Sequence, residues 1–166
     1  MKSIGLIFLS LVPMAIGFFK GEELGRAGKI KKALIDFFQT ARTQVALYRR
    51  EQKDIFFDYE DKNLEKAGFL PLLREEIQKD PCLALKRAMD SSLNTLNLSA
   101  IESKALTEFS ENFGMQSHAS QLTDFDKVLS VLNEEYERFE KDLQGKIKLN
   151  RTIGITAGLG IYILLI

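Results

Sequence analysis

Few side chains in this sequence could carry catalytic or metal chemistry, and those few stand alone. The chain contains one histidine, His118, and one cysteine, Cys82. Zinc sites need three or four histidine, cysteine or carboxylate ligands at set spacings, and His118 has no partner histidine. A lone thiol without a neighbouring histidine also lacks the base that activates a nucleophile. We therefore interpret His118 as a solvent-facing residue at a helix start and Cys82 as a small buried side chain.

A glycine-rich stretch, GEELGRAGK at 21–29, raises the question of phosphate binding. It ends in Gly-Lys but lacks the GxxxxGK[ST] spacing, and no predicted strand precedes it, so it is not a phosphate loop. We interpret it as a flexible joint. With no paired catalytic residues and no cofactor or metal motif, the sequence predicts that the protein is not an enzyme.

Charge is balanced overall but unevenly placed. Lys+Arg and Asp+Glu number 23 each, so the basic excess of a nucleic-acid-binding protein is missing. Acidic residues cluster around aromatic ones in DIFFDYED and again along a late helix. These clusters are either solvated, salt-bridged helix faces or acidic docking surfaces for a basic protein partner. The docking candidates are Asp54, Asp58, Glu60, Asp61, Glu134 and Glu137.

Both ends of the chain are apolar, and no charged residue lies within 3–19 or 152–166. As helices these segments would span about 25 Å and about 22 Å, a little short of a hydrocarbon core of about 30 Å. A cleaved signal peptide and a buried C-terminal helix are the alternatives. We favour two membrane anchors, and the spacing of Gly154 and Gly158 suits close packing of membrane helices.

Basic residues flank both apolar segments on the side of the middle region, which predicts a cytoplasmic middle domain by the positive-inside rule. These residues are Lys20, Arg26, Lys29, Lys31, Lys32, Lys146, Lys148 and Arg151. The predicted organisation is an N-terminal anchor at 1–20, a cytoplasmic helical bundle at 21–151 and a C-terminal anchor at 152–166.

The middle region has the 3.6-residue apolar periodicity of amphipathic helices. A short helix is predicted over LPLLREEIQKD, the 55–57 region reads as a loop or short turn, and Asp80 and Ser99 are expected to cap later helices, Ser99 with Glu102 in a capping box. The expected core positions are Ile30, Ala33, Leu34, Phe37, Phe38, Ala41, Val45 and Tyr48, then Leu85, Ala88, Met89, Leu93 and Leu96, then Ile101, Ala105, Leu106, Phe109 and Phe113.

The last helix, from about residue 120 to 149, carries a heptad seam and is expected to continue into the C-terminal segment. The seam residues are Leu122, Phe125, Leu129, Leu132, Tyr136, Phe139 and Leu143. We favour a seam that packs inside the chain's own bundle over a dimeric coiled coil. The predicted fold is all-α, an antiparallel bundle of about five soluble helices between two terminal transmembrane helices.

This layout resembles the stage III sporulation protein AB family of endospore-forming bacteria. The most specific match lies in LTEFSENFGMQSHASQ, where that family has a Leu-Gly pair, then an Asp and then a Gln. Phe113, Gly114, Ser117 and Gln121 stand at those positions in this sequence. Ser117 replaces the Asp but can still cap a helix. The family's Thr-Pro-Leu after the first soluble helix is missing here.

The resemblance implies a place in the mother-cell membrane that faces the forespore, in a channel-like complex with other membrane proteins. The family is similar to the cytoplasmic helical domain of type II secretion and type IV pilus platform proteins, which implies a cytoplasmic secretion-type ATPase as partner. The chain would then act mechanically, with its head on the ATPase and its last helix connecting to the membrane. The alternative is a structural scaffold that self-associates through the heptad helix.

Overall fold

The computed structural model describes residues 2–48, 52–113 and 118–165, with side chains from Val12 onward over most of that range. Every regular element in this part of the chain is an α-helix, so the all-α prediction is confirmed. The helices are α1 (Lys2–Tyr48), α2 (Gln52–Phe57), α3 (Lys62–Lys66), α4 (Phe69–Lys79), α5 (Ala84–Leu96), α6 (Ala100–Asn112) and α7 (His118–Leu165).

The chain forms two compact units, and the two long helices α1 and α7 contribute to both. One unit, the terminal hairpin, comprises 1–28 and 138–166. The other, the head, comprises 29–137 and contains α2 to α6. The head therefore begins and ends inside the predicted 21–151 bundle.

Aromatic side chains form the centre of the head's core. Phe37 and Phe38 of α1 are fully buried with ring centroids 5.2 Å apart. Phe37 meets Phe69 of α4 edge-on at 5.4 Å. Phe38 meets Phe109 of α6 at 5.3 Å, and Phe109 lies 4.8 Å from Phe125 of α7. Because edge-to-face ring pairs add to the gain from area burial, this cluster holds α1 against three other helices.

A buried ion pair joins α1 to α6 inside the head. The Nζ of Lys31 donates to Oε2 of Glu102, and the two residues are only 6% and 1% exposed. The same Glu102 oxygen accepts from the backbone N–H of Ser99 at 2.6 Å, which completes the predicted capping box. The hydroxyl of Ser99 donates to Oε2 of Glu135 on α7 at 2.8 Å. Lys31, read from the sequence as a membrane-flanking charge, is therefore a core residue.

The face of α6 that is buried differs from the expected one, because it includes Glu102 in place of Ile101. Ile101, expected in the core, is 53% exposed, while Glu102 and Ser110 are buried beside Leu106 and Phe109. The prediction for Ile101 was wrong because Lys31 supplies a partner for a buried carboxylate at the next position. The apolar periodicity of α6 alone cannot show that Lys31 of α1 lies opposite Glu102.

Two predictions about the short elements were also wrong. The 55–57 region is helical rather than a loop, since Ile55 and Phe56 of α2 are buried in the core. Asp80 does not cap a helix that starts at Pro81. Its carboxylate accepts from the N–H of Cys82 at 3.1 Å in a turn, and α5 begins only at Ala84.

The long last helix is confirmed as one element from His118 to Leu165. In the head, Phe125 and Leu132 of its seam are buried and Leu122, Leu129 and Tyr136 pack against the core. The seam therefore packs within the chain's own bundle, as favoured from the sequence.

In the terminal hairpin, glycines on α1 face the C-terminal part of α7 at close range. A Cβ on Gly17 would lie 2.5 Å from the carbonyl oxygen of Asn150 and 3.1 Å from Cα of Gly154. A Cβ on Gly28 would lie 3.2 Å from the Phe139 ring. The 21–29 stretch is thus helical and packed, and the predicted flexible joint is wrong. Its glycines cost helix propensity, and two of them, Gly21 and Gly28, contact side chains of α7, whereas the close backbone approach is at Gly17.

Within the described residues, no helix is both long and apolar enough to cross a membrane. The two terminal transmembrane helices expected from the sequence are not supported by this finding and stay a prediction.

We expect Lys31→Met to destabilise the head by about 3–5 kcal/mol, because it leaves the buried Glu102 carboxylate without its cation. Thermal unfolding of the full chain, followed by circular dichroism, measures the loss. The double variant Lys31→Met/Glu102→Gln removes both charges and keeps an N3 side chain that can cap, so it should recover most of the stability. Equal losses in the single and double variants would contradict a pair held by charge.

We expect Gly17→Ala to destabilise the terminal hairpin by about 1–3 kcal/mol, because its methyl group has no room against the backbone of Asn150. Gly25→Ala is the matched control. No atom lies within 4 Å of its built Cβ, so it should gain up to about 1 kcal/mol of helix propensity. Thermal unfolding of both variants tests the sign. A Gly17 variant as stable as the Gly25 variant would show that the close approach does not exist.

Candidate docking surface

The acidic candidates near α2 lie on the outside of the head. Asp54 on α2, and Asp58 and Glu60 just after it, are exposed, and Phe57 beside them is 47% exposed. We call these four residues the α2 surface. An exposed aromatic ring among carboxylates offers both apolar area and charge to a protein partner. The structure therefore leaves three of the four acidic candidates of this stretch exposed, close in sequence to an exposed aromatic ring.

The remaining acidic candidate, Asp61, has a structural role. Its Oδ1 accepts from the backbone N–H groups of Asn63 and Leu64 at 2.7 and 3.0 Å, so it is the N-cap of α3. Such a cap satisfies donors that the first helical turn leaves open. Asp61 thus fixes the end of the loop at 58–61, which connects α2 to α3.

Tyr59 anchors the same loop from the inside. Its half-buried ring meets Phe37 edge-on at 5.1 Å. Burial, assisted by the charges of Asp61 and Asp36, raises the pKa of Tyr59 to about 12. The phenol therefore stays neutral at every physiological pH, and it adds no charge to the α2 surface.

Arg74 of α4 fixes the loop, and nothing in the sequence pattern singled it out. Its guanidinium donates to the carbonyl oxygens of Phe57 at 3.3 Å and Tyr59 at 2.7 Å, and to the carboxylate of Glu65 at 2.5 Å. A planar guanidinium can serve several acceptors in fixed directions. The α2 surface is consequently held by side chains from α1, α3 and α4.

The other two acidic candidates, Glu134 and Glu137, are exposed on α7. Their neighbour Glu135 is half-buried and accepts the Ser99 hydroxyl. The acidic residues on α7 therefore have two roles. Glu135 bonds to Ser99 at the start of α6, and Glu134 and Glu137 are exposed as a second candidate surface.

The helix-junction motif is only partly within the described residues. Phe113 is buried, with ring centroids 5.3 Å from Phe56 and 5.0 Å from Phe109. Gln121 is half-buried in α7. Gly114 and Ser117 lie outside the described residues, as does the side chain of His118. Phe113 thus acts as a core residue that closes the head beside α7.

The two membrane-packing candidates are both buried in the terminal hairpin. Gly154 approaches Gly17, which makes this an interaction between α7 and α1 of the same chain. Gly158 is buried one turn further along α7.

No group of three or more His, Cys, Asp or Glu side chains that could hold a metal ion occurs among the residues described. Cys82, expected to be buried, is exposed, since it lies in the turn before α5.

A shallow groove of about 220 Å³ lies between α6 and α7, and no sequence pattern indicated it. Its apolar lining includes Phe109 and Val128, while Glu108, Asp124 and Lys127 supply charges of both signs. Lys127 pairs with Asp124 at 3.1 Å, so the groove lacks the one-sided charge of the α2 surface.

Comparison with known proteins gives one match, and it is to a family. Nothing among the curated proteins or the solved structures matches this chain. The family model described as stage III sporulation protein AB matches residues 2–166, nearly the whole chain. Together with the all-helical head and its apolar terminal segments, this match shows that the chain belongs to the stage III sporulation protein AB family.

Proposed function

We propose that this protein is a membrane-anchored adaptor of a sporulation complex, which docks a cytoplasmic secretion-type ATPase and couples it to the membrane proteins of that complex. The observation that carries the proposal is the α2 surface, where Asp54, Asp58 and Glu60 are exposed and lie close in sequence to an exposed Phe57. Arg74 and the Asp61 cap hold this loop before any partner binds. Preorganisation of this kind lowers the entropy cost of association.

The membrane anchor is supported by the surface of the terminal hairpin. Large apolar side chains there are exposed on both helices, and water-soluble proteins rarely expose such patches. They include Val12, Ile16, Phe18, Phe19, Leu149, Ile153, Ile155, Leu159 and Ile163. The basic residues between these segments and the head favour a cytoplasmic head. The mother-cell membrane facing the forespore is the location that the family implies.

The choice of an ATPase rests on the resemblance to secretion and pilus platform proteins and on the sequence analysis, which found no phosphate-loop motif. A chain that uses energy without a nucleotide site of its own needs a partner that has one. In our proposal the α2 surface meets a basic, apolar surface of that ATPase, and α7, as one helix shared by both units, provides the connection to the anchor.

A structural scaffold that self-associates is the second candidate function. The heptad seam proposed for that contact already packs against the chain's own core. Phe125 and Leu132, the middle of the heptad seam, are buried within the head. Self-association would therefore have to use another surface, and the exposed Ile101 on α6 offers one.

The topology has a direct test. In a Cys82→Ser background, single cysteines replace Ser3 or Glu60, and intact cells are treated with a membrane-impermeant maleimide. We expect Ser3→Cys to be labelled at once and Glu60→Cys only after permeabilisation. Labelling of Glu60→Cys on intact cells would place the head outside and would exclude a cytoplasmic partner.

The docking surface is tested by photo-crosslinking in sporulating cells. A benzophenone amino acid at Phe57 should capture a P-loop ATPase, identified by mass spectrometry. The matched control has the same amino acid at Ile101, which is similarly exposed but lies on α6. At that position it should not capture the ATPase. Capture of the ATPase at Ile101 alone would move the docking site to α6. Capture of only a second copy of this chain would favour the scaffold.

Charge reversal provides the complementary measurement. We expect Asp54→Lys/Asp58→Lys/Glu60→Lys to reduce the ATPase crosslink at Phe57 at least tenfold, since like charges across an interface cost affinity. The control Glu75→Lys/Asp90→Lys/Glu108→Lys changes the net charge equally at other exposed sites of the head. An equal loss in both variants would mean that overall charge, and not the α2 surface, matters.

A further inference from the structure

The terminal hairpin carries three exposed cations at one level of its two helices. Lys20 on α1, and Lys148 and Arg151 on α7, are all exposed. The close approaches of Gly17 to Asn150, and of Gly21 to Arg151, bring these segments of the two helices side by side. We call Lys20, Lys148 and Arg151 the basic collar.

The collar marks a sharp boundary in the surface of the hairpin. Toward both chain ends the sequence carries no acidic residue before Glu22 and none after Asp142. On that side the exposed side chains are large and apolar, with Phe19 70% and Ile153 56% exposed. A cluster of cations directly beside exposed apolar area fits the junction between headgroups and acyl chains of a bilayer.

Arg151 is held in place before any ligand binds. Its guanidinium carbon lies 5.4 Å from the centre of the Phe18 ring, and its Nε is 3.5 Å from the position of a Cβ on Gly21. Stacking on an aromatic face fixes a guanidinium, and the guanidinium's paired N–H donors match the oxygens of a phosphate. The Arg151 side chain also lies against α1 at Gly21. The position of this side chain therefore depends on both helices.

We propose that the basic collar binds the phosphate groups of anionic phospholipids and so gives the protein a preference for anionic membranes. This inference rests on the membrane anchoring proposed above and adds the lipid class that the anchor selects. A free phosphate would gain nothing from the adjacent apolar surface, whereas a phospholipid supplies both the phosphate and the acyl chains that the hairpin exposes.

The test is a competition between two vesicle populations. The full chain in mild detergent is diluted into a mixture of phosphatidylcholine vesicles and sucrose-loaded vesicles that also contain phosphatidylglycerol. Sedimentation separates the two, and the ratio of bound protein reports the headgroup preference. The measurement is made at 0.1 M and 1 M salt, where the Debye length falls from about 10 Å to about 3 Å.

We expect the chain to bind both populations but to favour the anionic one, and to lose most of that preference at high salt. Lys20→Gln/Lys148→Gln/Arg151→Gln should reduce the preference by about fivefold for each cation removed. The control Lys62→Gln/Lys66→Gln/Lys104→Gln removes the same charge from exposed sites of the head and should retain the preference.

Four results would overturn the inference. Equal binding of the parent to both populations would leave the anchor intact and remove the headgroup site. An undiminished preference in the collar variant, or an equal loss in the control variant, would mean that the collar is not its source. Binding to neither population would remove the proposed anchor itself, which separates that failure from the failure of the lipid site.

Discussion

The buried ion pair between Lys31 and Glu102 is the constraint on which the head depends. Burying two charges is costly, and their attraction offsets that cost only when geometry and additional hydrogen bonds are right. Glu102 meets this requirement by accepting from Ser99 N–H as well as from Lys31. A shift of α6 by one residue would bury an unpaired charge, so the pair fixes which face of α6 meets α1.

That polar network also reaches α7, since Ser99 donates to Glu135. The aromatic cluster around Phe38, Phe109 and Phe125 joins the same three helices through dispersion and ring contacts. Apolar packing supplies most of the driving force for such a bundle, but it tolerates alternative registers. The directional hydrogen bonds at Ser99 and Glu102 do not tolerate alternative registers. Together the two kinds of contact specify one arrangement of the head.

The same two helices behave differently in the terminal hairpin. There α1 presents glycines to α7, and the backbones approach so closely at Gly17 that a methyl group would not fit. In the head, α1 presents phenylalanines instead. Close backbone contact suits a surface surrounded by acyl chains, where the hydrophobic effect does not drive helices together. Large buried rings suit a domain in water. This contrast underlies our proposal of an anchor and a docking head in one chain.

The sequence by itself determined most of the helices, because apolar spacing at 3.6 residues is a local signal that α5, α6 and α7 carry over several turns. The capping box at Ser99 and the seam around Phe125 are also local signals and could be predicted. The family could be predicted from the residues near Phe113. Only the tertiary structure decided which polar residues are buried and which loops are rigid. Lys31 and Arg74 look like ordinary surface cations in the sequence, and their partners are distant along the chain. The glycines of 21–29 looked like a joint because glycine weakens an isolated helix, but the stretch is part of one continuous helix in which Gly21 and Gly28 contact side chains of α7.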